Sequence, residues 1–275
     1  MDISDLQTFR AVVDHGGVNG AARQLHRVQS SISARLAGLE RGLGCALFER
    51  RGKRLALTPE GRHLYERSAN LVREAESLRQ ELALGSPGAV LRIGSMESTA
   101  AVRLAQPLAR LRQGAPRMQL SLRTGTTGAL LDALERCEID AAFVAGPQQR
   151  SGTLWQPVFT EELVLIAPAH AAASDTLVTF STGCAYREVG LAWAQENGYP
   201  LQRAVEIGSY HAMVASVSAG IGVGLVPRSV LQRCDASAIK VRRLGRPYNR
   251  QVTSLVTREP GDSAALASLR AALKG

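Results

Sequence analysis

The segment Val18–Gly61 constrains the fold of this chain more than any other part of its sequence. Two short helical patterns meet at a tight junction, and in the second one Ile32, Leu36 and Leu39 recur at the spacing of a buried helical stripe. Two alternating segments then flank Arg51–Lys53, a pattern typical of a β-hairpin with a basic tip. This order predicts a winged helix-turn-helix, whose second helix enters a DNA major groove while the wing lies against the backbone.

The outward face of that second helix and the hairpin tip carry the candidate DNA contacts. A glutamine can read adenine through two hydrogen bonds, serines can donate to bases or phosphates, and an arginine can reach guanine or the backbone. Basic residues in a hairpin suit phosphate or minor-groove contacts, which position a protein without reading sequence. The predicted DNA-binding residues are Gln29, Ser30, Ser33 and Arg35 on the helix, with Arg50, Arg51, Lys53 and Arg54 in the hairpin.

Composition and charge agree with a nucleic-acid partner. The chain has 33 Lys or Arg against 24 Asp or Glu, and its net charge of +9 favours a polyanion. The four cysteines lie far apart without zinc spacing, so no metal or other cofactor is predicted. The N-terminus has no apolar signal core and no apolar run is long enough to span a bilayer. We therefore expect a cytoplasmic protein without a membrane partner.

A long helix is predicted directly after the hairpin. Thr58 can cap it, Pro59 suits the first helical position, and Glu60 is an early acid. Apolar positions at heptad spacing form a seam along this helix, which either packs on its own domain or forms a homodimer. We favour the homodimer, because a helix that continues to the linker Gly85–Gly88 has little of its own domain to pack on. The positions with heptad spacing are Leu64, Ser68, Leu71, Ala75, Leu78 and Leu82.

Beyond Val90 the pattern changes to short apolar runs that alternate with helical segments, which predicts an α/β fold with mostly parallel sheets. The helical segments are 98–113, 127–137, 187–198 and 210–219. The nine runs exceed the needs of one small sheet, so we expect two lobes, with the chain crossing near Thr160 and returning near Pro247. The runs are Val90–Gly94, Gln119–Thr124, Ala141–Val144, Leu163–Pro168, Leu177–Phe180, Ala204–Ile207, Val223–Pro227, Ile239–Leu244 and Val252–Thr257.

The first 61 residues resemble those of LysR-type transcriptional regulators. The resemblance extends through the whole chain and implies an N-terminal winged helix-turn-helix, a long linker helix, and a C-terminal two-lobed effector domain similar to periplasmic binding proteins. The matching positions are Leu6 and Phe9, Ala21-Ala22 with Leu25-His26, Gln29-Ser30 with Ile32-Ser33, Leu36 with Leu39-Glu40, Leu43-Gly44, Leu47-Phe48 with Arg50, and Leu57-Thr58 with Gly61.

The resemblance implies a sequence-specific DNA-binding regulator that a small polar metabolite controls from between the two lobes. It also implies homodimers that pair into tetramers on bent operator DNA with dyad symmetry, and RNA polymerase is a further candidate partner. No nucleophile motif is present, so no enzymatic activity is predicted. The predicted domains are a DNA-binding domain at 1–58, a linker helix and hinge at 59–88, and an effector domain at 89–275, with lobe I at 89–160 and 248–275 and lobe II at 161–247.

One position departs from the family pattern. Val28 stands where the family often has Ser or Thr as the cap of the recognition helix, and a valine side chain cannot cap. Either Ser30 or a DNA phosphate serves the first helical amides, or the helix begins slightly later.

Four hydroxyl-rich junctions between strands and helices are the candidate effector site. Ligands of such α/β lobes bind at the carboxyl ends of strands, where helix N-termini point their amides into a crevice. Ser and Thr at these places are also ordinary helix caps, so the chemistry alone leaves both interpretations open. The predicted effector-binding residues are Ser95, Glu97, Ser98, Thr99, Thr124, Thr126, Thr127, Cys184, Tyr186, Arg187, Ser209 and Tyr210.

Two charged residues bear on the chemistry of the effector. Glu97 in a first helical turn is favoured by the helix dipole alone, but in the cleft it would pair with an amine. Arg187 and the helix N-termini favour a carboxylate instead. A zwitterion or a polyamine-type metabolite would satisfy both.

Two alternatives remain at the level of function. Cys184 lies in a candidate ligand loop, so the chain is alternatively a thiol-redox-responsive regulator, although a small buried cysteine is the simpler interpretation. A cytoplasmic solute-binding protein without gene control is the second alternative, and the N-terminal DNA-binding module argues against it.

Overall fold

A computed structural model describes residues 1–51, 54–83, 90–146, 148–170, 174–259 and 263–274. The chain forms two compact units, Met1–Ser86 and Pro87–Gly275. No helix within the described ranges combines the length and the apolar character that a membrane span requires.

The first unit is a three-helix core followed by a hairpin and a long helix. Its elements are α1 (Ile3–Asp14), α2 (Val18–Gln24), α3 (Gln29–Leu43), β1 (Phe48–Arg51), β2 (Arg54–Leu57) and α4 (Pro59–Ala83). A capping box starts α1, because Asp2 and Asp5 each accept a hydrogen bond from the other's backbone N–H. Phe9, Ile32 and Leu39 are buried where the three helices meet, which confirms the predicted apolar stripe.

The recognition helix α3 begins at Gln29, so the expectation of a later start is wrong. Val28 is its N-cap residue and makes no side-chain hydrogen bond. The N–H groups of Ser31 and Ile32 reach the carbonyl oxygen of Val28 at 3.1 and 3.3 Å, which makes the helix regular from its first turn. Gly44 ends α3 with φ +70°, a left-handed conformation that only glycine adopts without steric cost.

The first half of α4 packs on its own domain. The hydroxyl of Thr58 accepts a hydrogen bond from the N–H of Gly61 at 3.0 Å, which confirms the predicted cap. Val72 is buried, and the Arg10 guanidinium lies 4.4 Å from the centre of the Tyr65 ring while donating to the Tyr65 carbonyl at 2.7 Å. The expectation that this helix has little of its own domain to pack on is therefore wrong for its first turns.

Further along α4, part of the predicted seam lies open to solvent. Ser68 is buried, but Leu71 and Leu78 are 48% and 56% exposed. The side chain of Leu82 lies outside the described residues. The second half of the helix thus presents leucines that its own unit does not cover.

The second unit is an α/β domain, and each of the nine predicted apolar runs overlaps a strand of it. Its elements are β3 (Val90–Ser95), α5 (Glu97–Val102), α6 (Ala105–Gly114), β4 (Gln119–Thr124), α7 (Thr127–Glu135), β5 (Ala141–Ala145), β6 (Thr153–Pro168), β7 (Thr176–Thr179), α8 (Ala185–Glu196), β8 (Arg203–Glu206), α9 (Tyr210–Ser218), β9 (Val223–Pro227), α10 (Arg228–Leu231), β10 (Ile239–Arg243), β11 (Arg250–Arg258) and α11 (Ala264–Lys274).

One mixed sheet joins the two halves of this unit. Within the described residues it has nine strands in the order β4-β3-β5-β11-β6-β9-β7-β8, with β10 also paired to β6. The prediction of mostly parallel sheets is wrong, because β11 pairs antiparallel with β5 and β6, and β6 pairs antiparallel with β9 and β10. The parallel pairs lie on either side of this centre.

The strand β6 runs through both lobes. Its first part, Thr153–Glu162, pairs with β11, and residues from Leu163 onward pair with β9 and β10. We therefore define lobe I by β3, β4, β5 and β11 and lobe II by β7, β8, β9 and β10. The helix predicted over 98–113 is two helices, because Pro107 has no N–H and is tolerated only in the first turn, where it lies in α6.

Candidate functional site

The N-terminal turn of α3 and the helix α2 form an open concave surface on the first unit. Gln29, Ser30 and Ser33 are all exposed, and the first two line this surface. Further polar residues that sequence reasoning missed line it as well: Asn19, Arg23 and Arg27. Asn19 and Arg23 are four residues apart in α2 and so share one face of that helix, a signal that the sequence already contained, whereas Arg27 lies between α2 and α3.

The start of α3 offers backbone donors to an anion. Val28 is 68% exposed and contributes no cap, so no side chain covers the first amides of the helix. Such amides, together with the helix dipole, attract a phosphate or another anion. The missing cap predicted from the sequence therefore leaves the first amides of α3 without a side-chain partner on this surface.

Arg35 pairs with acids of α1 instead of facing outward with the serines, and its role as a DNA contact stays a prediction. Its Nη1 lies 3.2 Å from Oδ1 of Asp5 and 3.5 Å from Oδ1 of Asp2, and the side chain is only 29% exposed. The two acids of the α1 capping box thus hold Arg35 against the first helix, where it stabilises packing between α1 and α3.

The structure describes the backbone of the hairpin that was predicted as a basic wing. Cα partners run from Phe48 with Leu57 to Arg51 with Arg54 in an antiparallel pair. The side chains of Arg50, Arg51 and Arg54, and the whole of Lys53, lie outside the described residues. Their contact roles stay a prediction.

In the second unit, all four hydroxyl-rich junctions contribute to one cavity between the lobes. The cavity has a volume of about 20 Å³, which is room for about one water molecule. Six of the predicted residues line it: Glu97, Thr126, Thr127, Cys184, Tyr186 and Tyr210. Three further residues that the sequence reasoning did not single out complete the lining: Met96, Gly125 and Phe180.

The other six predicted effector residues do not line this cavity. Ser95, Ser98 and Thr99 are buried beneath it, and the Ser95 hydroxyl donates to the carbonyl of Met96 at 2.9 Å. Ser98 and Thr99 follow Glu97 in the first turn of α5, where successive side chains face different directions. Thr124 is exposed at the end of β4.

Arg187 and Ser209 have local partners instead. The Arg187 guanidinium lies 2.7 Å from Oε1 of Glu206 and also donates to the carbonyl of Phe180. The Ser209 hydroxyl accepts a hydrogen bond from the N–H of Ala212 and so caps α9. In this arrangement Arg187 is engaged by Glu206, and its role toward an effector carboxylate stays a prediction.

Glu97 is the charged residue of the cavity. Its Oε2 is buried and has no hydrogen-bond partner among the described residues. Burial raises the pKa of this carboxyl group, while the backbone N–H of Tyr210 and the nearby His211 lower it by a smaller amount.

The other titratable groups of the lining are held in their neutral forms. Burial raises the pKa of the Tyr186 and Tyr210 phenols and of the Cys184 thiol. The Tyr186 hydroxyl has no hydrogen-bond partner among the described residues, although it lies near the hydroxyls of Ser98 and Thr253. A raised pKa leaves Cys184 with little thiolate, which argues against a redox role.

Two contacts hold the lobes together beside the cavity. The N–H of Gly128 at the start of α7 donates to the carbonyl of Gly183 at 3.0 Å. Arg103 Nε lies 2.6 Å from Oε1 of Glu161, a carboxylate only 2% exposed, and the Ser229 hydroxyl donates to the other oxygen at 2.7 Å. Sequence reasoning missed this triad, although an acid within the long strand β6 was a visible signal.

Comparison with known proteins agrees with both units. A family model for the LysR substrate binding domain matches residues 84–275, and one for the bacterial regulatory helix-turn-helix protein of the lysR family matches residues 3–62. The uncharacterized HTH-type transcriptional regulator YusT of Bacillus subtilis is 33% identical over 98% of this chain and 93% of its own. The regulator YofA of Bacillus velezensis is 36% identical over 84% of this chain and 83% of its own.

Solved structures show the same architecture. Full-length CbnR complexed with its target DNA matches with a TM-score of 0.71 at 21% identity, over 100% of this chain and 99% of that one. A full-length OxyR variant from Pseudomonas aeruginosa matches with a TM-score of 0.69 at 25% identity, over 100% and 95% of the two chains.

The chain belongs to the LysR family of transcriptional regulators. It is a DNA-binding regulator with an N-terminal helix-turn-helix and a C-terminal effector-binding domain. The alternatives, a redox-responsive regulator and a solute-binding protein without gene control, are not favoured.

Proposed function

We propose that this regulator binds an operator with dyad symmetry through α3 and the hairpin, and that a small polar metabolite between the lobes controls the binding. The observation that carries the proposal is the cavity between the lobes, where a buried carboxylate oxygen of Glu97 lacks a hydrogen-bond partner among the described residues. Buried polar groups are ordinarily satisfied, so a ligand with matching donors and acceptors would bind there.

On the DNA side, Gln29, Ser30 and Ser33 read bases from the exposed face of α3. A DNA phosphate occupies the uncapped amides behind Val28, since backbone donors at a helix start favour an anion. The hairpin places its basic residues on the backbone, and α2 adds further phosphate contacts. The hairpin residues are Arg50, Arg51, Lys53 and Arg54, and the additional contacts are Asn19, Arg23 and Arg27.

On the effector side, the six predicted residues that line the cavity are the proposed contacts. The cavity as it stands admits only a group of the size of a water molecule. A metabolite therefore enters when the lobes part, and it stabilises the arrangement that fits it best. That differential affinity is what couples the ligand to DNA binding.

The proposed domains keep the predicted bounds, 1–58, 59–88 and 89–275, with lobe I at 89–160 and 248–275 and lobe II at 161–247. The exposed leucines of α4 support a homodimer, and two dimers form a tetramer on the operator. RNA polymerase is the proposed further partner, the cytoplasm the proposed location, and no catalytic activity is proposed.

Footprinting on the DNA upstream of the chain's own gene, with and without candidate metabolites, tests this function. We expect a protected dyad whose extent changes with an effector. In gel shifts, Gln29→Ala should lose about 1–3 kcal/mol of affinity, chiefly on the cognate site. The matched control Gln24→Ala changes an exposed glutamine of α2 outside the concave surface and should bind like the parent. Equal binding by both variants would contradict the proposed α3 contacts.

A further inference from the structure

The carboxylate of Glu97 has an unusual environment. Its Oε2 is buried in the cavity between the lobes and has no hydrogen-bond partner among the described residues. No salt bridge within the described ranges includes this residue. A buried carboxylate oxygen is ordinarily paired, so the site is incomplete as it stands.

Aromatic rings surround this carboxylate. Phe180, Tyr186 and Tyr210 line the same small cavity, and the ring centres of Phe180 and Tyr210 are 4.9 Å apart. Aromatic faces attract cations through their quadrupole, and they repel anions. The cavity therefore combines an unpaired carboxylate oxygen with the walls of a cation site.

We propose that the effector carries a primary ammonium group, which binds Oε2 of Glu97 between the rings of Phe180, Tyr186 and Tyr210. This inference rests on the proposed effector cleft and names the chemistry of its ligand. An ammonium has three donors and no acceptor, so it can donate to the unpaired Oε2 of Glu97. Its head is about as large as a water molecule, which matches the 20 Å³ of space.

The charge of Glu97 also favours an ammonium ligand over a carboxylate ligand. A carboxylate in the same place would stand against Glu97, and like charges at this distance disfavour each other. Arg187 could have compensated, but Glu206 already engages it. The rest of an amine ligand would extend toward the space that opens as the lobes part at Gly128 and Gly183.

The proposal predicts a characteristic pH dependence. Burial raises the pKa of Glu97, and an ammonium binds the charged carboxylate. Affinity should therefore increase as the pH rises through this raised pKa, and fall below it. The groups that face Glu97 are Tyr210 and His211 of α9 and Cys234 after α10. The variant His211→Gln separates the contribution of this neighbouring side chain from that of Glu97.

Calorimetry on the full chain with four probes of one carbon skeleton tests the proposal: diaminobutane, aminobutanoate, butanediol and succinate. We expect the amine probes to bind and the other two not to bind. Glu97→Gln keeps the shape but removes the charge, and it should weaken amine binding about tenfold or more and abolish its pH dependence. The matched control Glu188→Gln changes an exposed carboxylate of α8 outside this cavity and should bind amines like the parent.

Unchanged amine affinity in Glu97→Gln, no binding of either amine at saturating concentration, or binding of succinate in place of the amines would each overturn the ammonium proposal. Succinate binding would still leave an effector cleft in lobes I and II. Operator binding of the parent and of Glu97→Gln, measured by gel shift, reports separately on the proposed function. Loss of DNA binding in the parent would be a failure of that function and not of the ligand chemistry.

Discussion

At the scale of the residue, Arg35 shows how a short-range ion pair changes a functional assignment. Its position on α3 is compatible with base reading, yet both carboxylates of the α1 capping box lie within 3.5 Å of its guanidinium. The pairing partners are about thirty positions away in sequence, so helix periodicity cannot reveal them. A side chain on a recognition helix is free to contact DNA only if it is not already paired with other residues of its own fold.

Arg35→Ala should therefore affect stability more than specificity. Because the pair with Asp5 is partly exposed, we expect the free energy of unfolding of the first unit to fall by less than about 1 kcal/mol. The ratio of affinities for cognate and scrambled operator in gel shifts should not change. A selective loss on the cognate site, as expected for Gln29→Ala, would restore Arg35 to the base-reading set.

Cys184 should behave as an inert buried thiol. Burial raises its pKa, so the thiolate fraction at neutral pH is small. We expect iodoacetamide to alkylate Cys184 more slowly in the native chain than in the urea-unfolded chain, as followed by peptide mass spectrometry. Cys184→Ser should keep the response of DNA binding to an effector, whereas its loss together with fast native alkylation would support the redox alternative.

At the scale of the element, α4 has two parts with different surroundings. Tyr65, Ala69 and Val72 pack its first turns on the first unit, and Leu71 and Leu78 stay open to solvent on another side. A heptad pattern in the sequence does not distinguish these two uses, since intramolecular and intermolecular packing both require apolar positions at helical spacing.

The double variant Leu71→Glu, Leu78→Glu should dissociate a dimer. Both side chains are largely exposed, so the fold of the single chain should lose little stability, within about 0.5 kcal/mol for each change. Two charges in a buried seam would oppose association strongly. Sedimentation velocity should show a monomer, while Glu66→Lys, an exposed position on another face of α4, should keep the dimer. A dimeric double variant would place the interface elsewhere.

At the scale of the whole second unit, the two lobes share one sheet, and an ion pair with a buried carboxylate crosses from one lobe to the other. Arg103 comes from the end of α5 in lobe I, Glu161 from β6, and Ser229 from α10 in lobe II. The pair lies beside the strand that passes between the lobes, close to the cavity. It is suited to holding their relative position.

Arg103→Met should destabilise the second unit by about 3 kcal/mol, because it leaves the carboxylate of Glu161 buried and unpaired by charge. Both tryptophans, Trp155 and Trp193, lie in this unit, so fluorescence during urea unfolding reports on it alone. Adding Glu161→Gln should recover much of the loss, and the exposed control Arg112→Met should change little. Equal stability of Arg103→Met and the parent would show that the pair is not a structural link.

Only part of the effector site could be predicted from the sequence. The junctions after β3 and β4 lie together, and so do those after β7 and β8, because the carboxyl ends of neighbouring parallel strands meet at one edge. The two pairs belong to different lobes and meet at the cavity only in the folded domain. Which side chain of each junction faces the cavity depends on the rotation of the helix that follows. Glu97 and Tyr210 turn inward, Thr99 turns into the core, and Arg187 turns to Glu206.

What the sequence by itself determined is local: the buried stripe of α3, the hairpin after it, the cap of α4 at Thr58, and the nine strand segments. Caps, turns and apolar periodicity act over a few residues, so their signals are readable in the chain. The tertiary structure alone decided the antiparallel centre of the sheet and the partners of Arg35, Arg187 and Glu161. Those outcomes depend on residues that are far apart in sequence and meet only when the chain has folded.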